Sequence, residues 1–192
     1  MPLSLITQHG PYRGLSTARI RRRIQSMVRL LKLQNKEISF VLTNDKSIHD
    51  LNKSYRQKNK PTDVLAFAMQ EGEFASIAEN TLGDVIVSVE TAKRQADERN
   101  VSLLEEVTML MAHGLLHLLG WDHATRAEDV RMRKETERLC AAARKAEAPP
   151  RRKAMSRMVL VKSDGRACAK CSICAAPTVV ALGTRASSRL LP

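Results

Sequence analysis

His113-Gly114-Leu115-Leu116-His117-Leu118-Leu119-Gly120-Trp121-Asp122-His123 holds three of the chain's five histidines within eleven residues. His113 and His117 are four apart, so on a helix their side chains sit on one face, close enough to grip a single metal ion. Gly120 falls where that helix should stop, because glycine takes the left-handed conformation of a helix end without steric cost. The chain can then turn back and bring His123 to the same ion. Three neutral imidazoles around zinc, with the fourth position left to water, describe a catalytic site. A closed structural site normally takes four protein ligands. His9 and His49 have no such company and read as ordinary polar residues.

Outward from this stretch, Ser102-Leu103-Leu104-Glu105 has the capping-box pattern that opens a helix. Leu103, Leu104, Val107, Leu110, Met111 and Leu118 form its apolar stripe, and His113 and His117 lie to the side of it. After His123 a last helix is expected over residues 126–145, with Val130, Met132 and Leu139 facing inward. On the N-terminal side, residues 91–99 are helical by composition. Strands are expected at 3–7, 37–43, 64–69 and 82–89, with an acidic surface loop over 70–81. An amphipathic helix over 17–32 buries Ile20, Ile24, Met27, Val28 and Leu31. Its remaining arginines, Arg19, Arg21, Arg22, Arg23 and Arg29, read as a solvated face. Asn44 or Asp45 caps a further helix through Ile48, Leu51 and Tyr55. The expectation is one α/β (α+β) domain over 1–147, with a small mixed sheet of about four strands and about five helices.

A chain of 192 residues suits one domain with a proper core. No run of 18 or more apolar residues occurs, and no signal-type apolar core precedes Arg13, so a soluble, cytoplasmic protein without membrane contact is expected. The net charge of +12 is unevenly placed. From Ala148 onward nine Lys or Arg face one acid, Asp164, which leaves +4 for the preceding 147 residues. Pro149-Pro150 ends the domain, and 148–192 reads as a basic, disordered extension. Its Cys168, Cys171 and Cys174 have the spacing C-x-x-C-x-x-C, but a fourth ligand would have to be Cys140, so free reduced thiols are expected.

A second constellation lies at residues 53–60, Lys-Ser-Tyr-Arg-Gln-Lys-Asn-Lys, with four positive charges and no negative one. Arginine offers a planar fork for phosphate oxygens. By charge alone a solubilising loop would be the better reading. A metal site in the same small domain favours a substrate bearing phosphates.

Taken together, His113-Gly114-x-x-His117-Leu118-x-Gly120-x-Asp122-His123, Leu51-Asn52-x-x-Tyr55-Arg56-x-Lys58, Pro61-Thr62-Asp63-Val64-Leu65 with Phe67, and Leu82-Gly83-Asp84 resemble the YbeY family. These are metal-dependent endoribonucleases associated with ribosomal RNA maturation, and the resemblance spans about residues 3–145. It implies one zinc per chain held by His113, His117 and His123, with Arg56 lining the catalytic cleft. It further implies single-stranded RNA as substrate, ribosomal RNA or a ribosomal subunit as partner, and a role in ribosome quality control. Lys58 and Lys60 would steer the polyanion. Asp84 and Asp122 are the candidates for general base, or else they orient a ligand histidine. Ala66 and Ala68 stand where the family usually has serine and proline, and Trp121 stands where tyrosine is common.

Two other readings compete. A non-catalytic ribosome-assembly factor would use the metal structurally. A zinc peptidase is suggested by the spacing H-x-x-x-H-x-x-G-x-x-H, which the metzincins share. Those enzymes carry a glutamate general base directly after the first histidine, where this chain has Gly114.

Overall fold

The computed structural model describes residues 3–69 and 80–147. Most of the expected acidic loop, and the whole basic extension with Cys168, Cys171 and Cys174, lie outside the described residues. The chain divides into two units, Met1–Arg151 and Arg152–Pro192, and every described residue belongs to the first.

The elements run β1 (Leu3–Thr7), α1 (Thr17–Leu30), β2 (Glu37–Thr43), α2 (Asp45–Arg56), β3 (Val64–Ala68), β4 (Thr81–Ser88), α3 (Val89–Glu98), α4 (Leu103–Leu118) and α5 (Arg126–Lys145). The four strands form one mixed sheet in the order β1-β2-β4-β3. The first three in that order are parallel, and β3 pairs antiparallel to β4 at the edge. The expected four strands and five helices are present, with ends displaced by two residues at most. One face of the sheet, carrying Ile38, Phe40, Leu42, Val85 and Val87, joins α1, α4 and α5 in a single apolar core. On the other face α2 lies over β3 and β4: Tyr55 meets Phe67 edge-on, and Ser88 donates to Asp45.

Side-chain caps start the helices. Ser16, Asn44, Ser88, Ser102 and Thr125 each accept a backbone N–H from the first turn they open. The box expected at Ser102 is only half formed. Its hydroxyl accepts the Glu105 N–H, but the Glu105 carboxylate turns to Arg23 (2.7 Å) and Arg144 (2.6 Å). Two guanidinium ions outcompete one backbone N–H for that carboxylate. The reciprocal box occurs instead at Thr125 and Glu128.

Two expectations fail in the helices. Val130 is 58% exposed, because the inward stripe of α5 is Met132, Thr136, Leu139, Cys140 and Ala143, and Val130 lies two residues off it, across the helix. Arg23 is not part of a solvated face but is 4% exposed, on the same stripe of α1 as Ile20, Ile24 and Met27. A buried charge must be paired. Arg23 reaches Glu105 and Glu147, each at 2.7 Å, and donates to Thr108 Oγ1. Arg19 adds two further bonds to Glu147, so the end of α5 is tied to α1.

Helix α4 is buried nearly all round, and at Gly114 it lies close against the sheet. A Cβ built there would stand 2.5 Å from Val85 Cγ1 and 3.2 Å from Val64 Cγ2. Gly114→Ala gains helix propensity of about 1 kcal/mol but overpacks this contact at a cost of about 1–3 kcal/mol. The expected outcome is a lower melting temperature, and an unchanged or raised one in thermal denaturation would show that α4 is free to shift.

Hydrogen bonds from Arg19 and then Arg23 hold the Glu147 carboxyl down at about 2, against the opposing effect of burial. A depressed carboxylate stabilises the fold above its unfolded pKa of about 4.3 and loses that contribution as pH falls toward the folded value. Melting temperature followed from pH 5 downward should therefore fall less steeply for Glu147→Gln than for the parent chain. Parallel acid limbs would mean that the clasp adds nothing to stability.

Candidate metal centre and its cleft

The C-terminal half of α4 carries His113 and His117 past the edge of the core, where both become half-buried. Their Nε2 atoms face each other at 3.2 Å. That is close to the separation of about 3.3 Å that two nitrogens keep on one tetrahedral zinc at normal bond lengths. Gly120 then takes φ +77° and closes the helix, with Gly120 N–H donating to His117 O and Trp121 N–H to Leu116 O. The reversal delivers His123, as the sequence leads one to expect. Its ring centroid is 5.6 Å from that of His113 and 5.3 Å from that of His117. Ligand atoms of all three lie within 4.8 Å of one another, so this donor set fits a single ion.

Burial, and then the neighbouring His117 and His123, push the His113 imidazole down to about 4, while Asp63 and Asp129 pull weakly the other way. His117 is lowered too, first by burial and then by His123, with Arg56 adding to the effect. Both rings are therefore neutral at physiological pH, the form that offers a lone pair to a metal. The Trp121 backbone and the Asp122 carboxylate oppose this lowering of His117.

Beside the histidines lies an open cleft of about 450 Å³, lined by Arg56, Ala66, Ala68, His117, Gly120, Trp121, Asp122 and His123. Arg56, the last residue of α2, thus reaches the same cleft as two of the three histidines. Lys53, Lys58 and Lys60 are exposed but form no part of the lining. Asp122 lines the cleft and accepts the His123 N–H at 2.7 Å, so it shapes the turn that presents His123. Asp84 does not arrive there. It pairs across the strands with Phe67, so it shares the sheet face under α2, while Val85, on the opposite face, meets α4.

Gly114 also bears on the peptidase reading. Position 114 points from α4 into Val85 and Val64, not into the cleft. A glutamate there would meet packed valines before it met a metal.

Two contributors, Asn52 and Asp63, carry no role in the sequence reading. Asn52 is 2% exposed and donates to the Lys60 carbonyl at 2.7 Å, which ties down the loop after Arg56. Its spacing of four from Ile48 places a polar residue on the inner face of α2, and that was the available signal. Asp63 accepts from Val64 N–H, Thr62 and Gln95 where β3 begins. Ala66 and Ala68, expected as losses of hydroxyl and ring, leave the cleft wall low.

The sequence profile described as "Endoribonuclease YbeY" matches residues 7–144. Proteins named Endoribonuclease YbeY are similar to this chain in Syntrophus aciditrophicus (43% identity, 54% of this chain, 65% of the relative) and Picosynechococcus (53%, 50% and 61%). In those two the match spans less than two thirds of the relative's length. One from Geobacter sulfurreducens is 35% identical over 69% of this chain and 88% of its own length. The solution structure of TM1509 from Thermotoga maritima shares the fold, with a TM-score of 0.51 at 21% identity over 79% of this chain and 99% of that one. With its histidine cluster, its four-stranded mixed sheet and a profile match over most of its length, the chain belongs to the YbeY family.

Proposed function

We propose that this chain is a zinc-dependent endoribonuclease that hydrolyses phosphodiesters of single-stranded RNA, acting on ribosomal RNA or a ribosomal subunit during maturation and quality control in the cytoplasm. The observation that carries the reading is the shared cleft, in which the Arg56 guanidinium stands beside His117 and His123. The name of the relatives supports it. Neutral imidazoles in a three-ligand set favour zinc, and a bound zinc supplies Lewis acidity toward water and phosphate oxygen. Arg56 binds the phosphate through two parallel hydrogen bonds and offsets negative charge as it builds in the transition state. Asp122 holds the turn before His123. Lys53, Lys58 and Lys60, outside the lining, draw the polyanion toward the cleft with little sequence preference. The domain that performs this ends near residue 147, and it acts without need of the basic extension from Ala148.

Purified protein should hold about one zinc per chain, and His117→Ala should lose most of it. His117 lies between the other two ligands in sequence, and its Nε2 is the one that faces His113. Elemental analysis that finds the variant fully loaded would remove the three-histidine site.

Arg56→Ala should keep its zinc and lose cleavage by on the order of a hundredfold, as for removal of one oxyanion-type donor. Arg56→Lys should recover only part, because a point charge keeps the attraction without the two-pronged grip. Binding should fall less than rate, since the flanking lysines remain. Cleavage of a defined RNA at the normal rate by Arg56→Ala would reduce this residue to a surface cation.

A further inference from the structure

Trp121 is the chain's sole tryptophan, and it stays 37% exposed at the cleft that Arg56, His117 and His123 line. Its backbone is held by the N–H that it donates to Leu116 O. The indole makes no hydrogen bond or ring contact among the described residues. Roughly a third of this large residue's surface thus remains open to water where it borders the cleft. Leaving such a surface exposed forgoes hydrophobic stabilisation unless a partner covers it. Tyr55, at 69% exposure, is the contrasting case: its ring is engaged edge-on with Phe67 at 5.2 Å, and it is not part of the lining. Ala66 and Ala68 contribute only methyl groups to the cleft wall, which leaves room for a flat group beside the indole.

We propose that the Trp121 indole is the platform on which an unpaired nucleobase next to the scissile phosphate stacks, so that the cleft reads the pairing state of the RNA. The proposal rests on the ribonuclease reading and deepens it. Arg56 takes the phosphate of a nucleotide while the indole takes a neighbouring base. Every base offers a π face, so the contact tolerates any sequence. A base inside a duplex is already covered on both faces and cannot stack on the indole without leaving the helix. Trp121 is then a specificity-determining residue for single strands, and not a selector of base identity.

The single tryptophan makes the test direct. The zinc-loaded full chain is titrated with a hydrolysis-resistant 2′-O-methyl oligoribonucleotide, with its abasic counterpart, and with the same sequence in duplex form. Anisotropy of end-labelled probes measures binding, and tryptophan emission measures stacking. The single strand is expected to quench emission as it binds, while the abasic and duplex probes bind more weakly and leave emission unchanged. Trp121→Ala should raise KM for single-stranded RNA about tenfold to a hundredfold, with kcat falling much less and zinc content unchanged. Trp121→Phe should retain most of the affinity, and neither variant should alter binding of the abasic probe. A single strand that binds by anisotropy without changing emission would overturn the platform and leave the ribonuclease reading intact, as would a parental KM for Trp121→Ala. If the zinc-loaded parent neither binds nor cleaves RNA, the ribonuclease reading fails and the platform falls with it.

Discussion

Burial of α4 on nearly every side is the constraint from which the rest of the molecule follows. The helix lies against β3 and β4 and is packed by α1, α3 and α5. Any polar group on it must therefore find a partner within the protein. Thr108 bonds its own helix and receives Arg23. Glu106, 3% exposed, pairs with Arg99, although burial still pushes its carboxyl above the ordinary range. His113 and His117 are the remaining case. Their nitrogens point at each other where the helix leaves the core, an arrangement that two neutral imidazoles satisfy best by sharing a cation.

Much of this was legible because the signals were local. The spacing of the three histidines, Gly120 as helix terminator and Asn44 as cap are statements about a few consecutive residues, and helix geometry alone fixes them. What escaped was set by neighbours far along the chain. Arg23 sits among arginines, and only the packing of α4 and α5 on α1 makes it the buried one. Val130 is apolar and lies close to the inner stripe in sequence, but two residues of helix rotate it to solvent. Asp84 has the right chemistry for a base, yet the alternation of β4 sends it to the face under α2. The placement of Arg56 at the histidine cleft came from resemblance, since no local pattern joins residue 56 to residue 117.

The cleft couples its two chemistries. Arg56, positioned to meet an anion, also lowers the proton affinity of His117 and so favours the form that binds a metal. The ligands in turn come from one helix and the turn after it, while Arg56 comes from α2 and the alanines from β3. Asn52 and Asp63 fasten those two contributions close to the point where each enters the cleft.

Gly114 bears on how such sites diverge. The same histidine spacing serves hydrolases of peptides when a glutamate follows the first ligand. Here that position is spent on contact with Val85 and Val64. A single substitution would place the carboxylate in the core without giving it access to the metal, and would cost stability at once. Passage between the two chemistries at this position therefore calls for room where the Val85 and Val64 side chains now stand, so the sheet beneath the helix helps decide which reaction the histidines can serve.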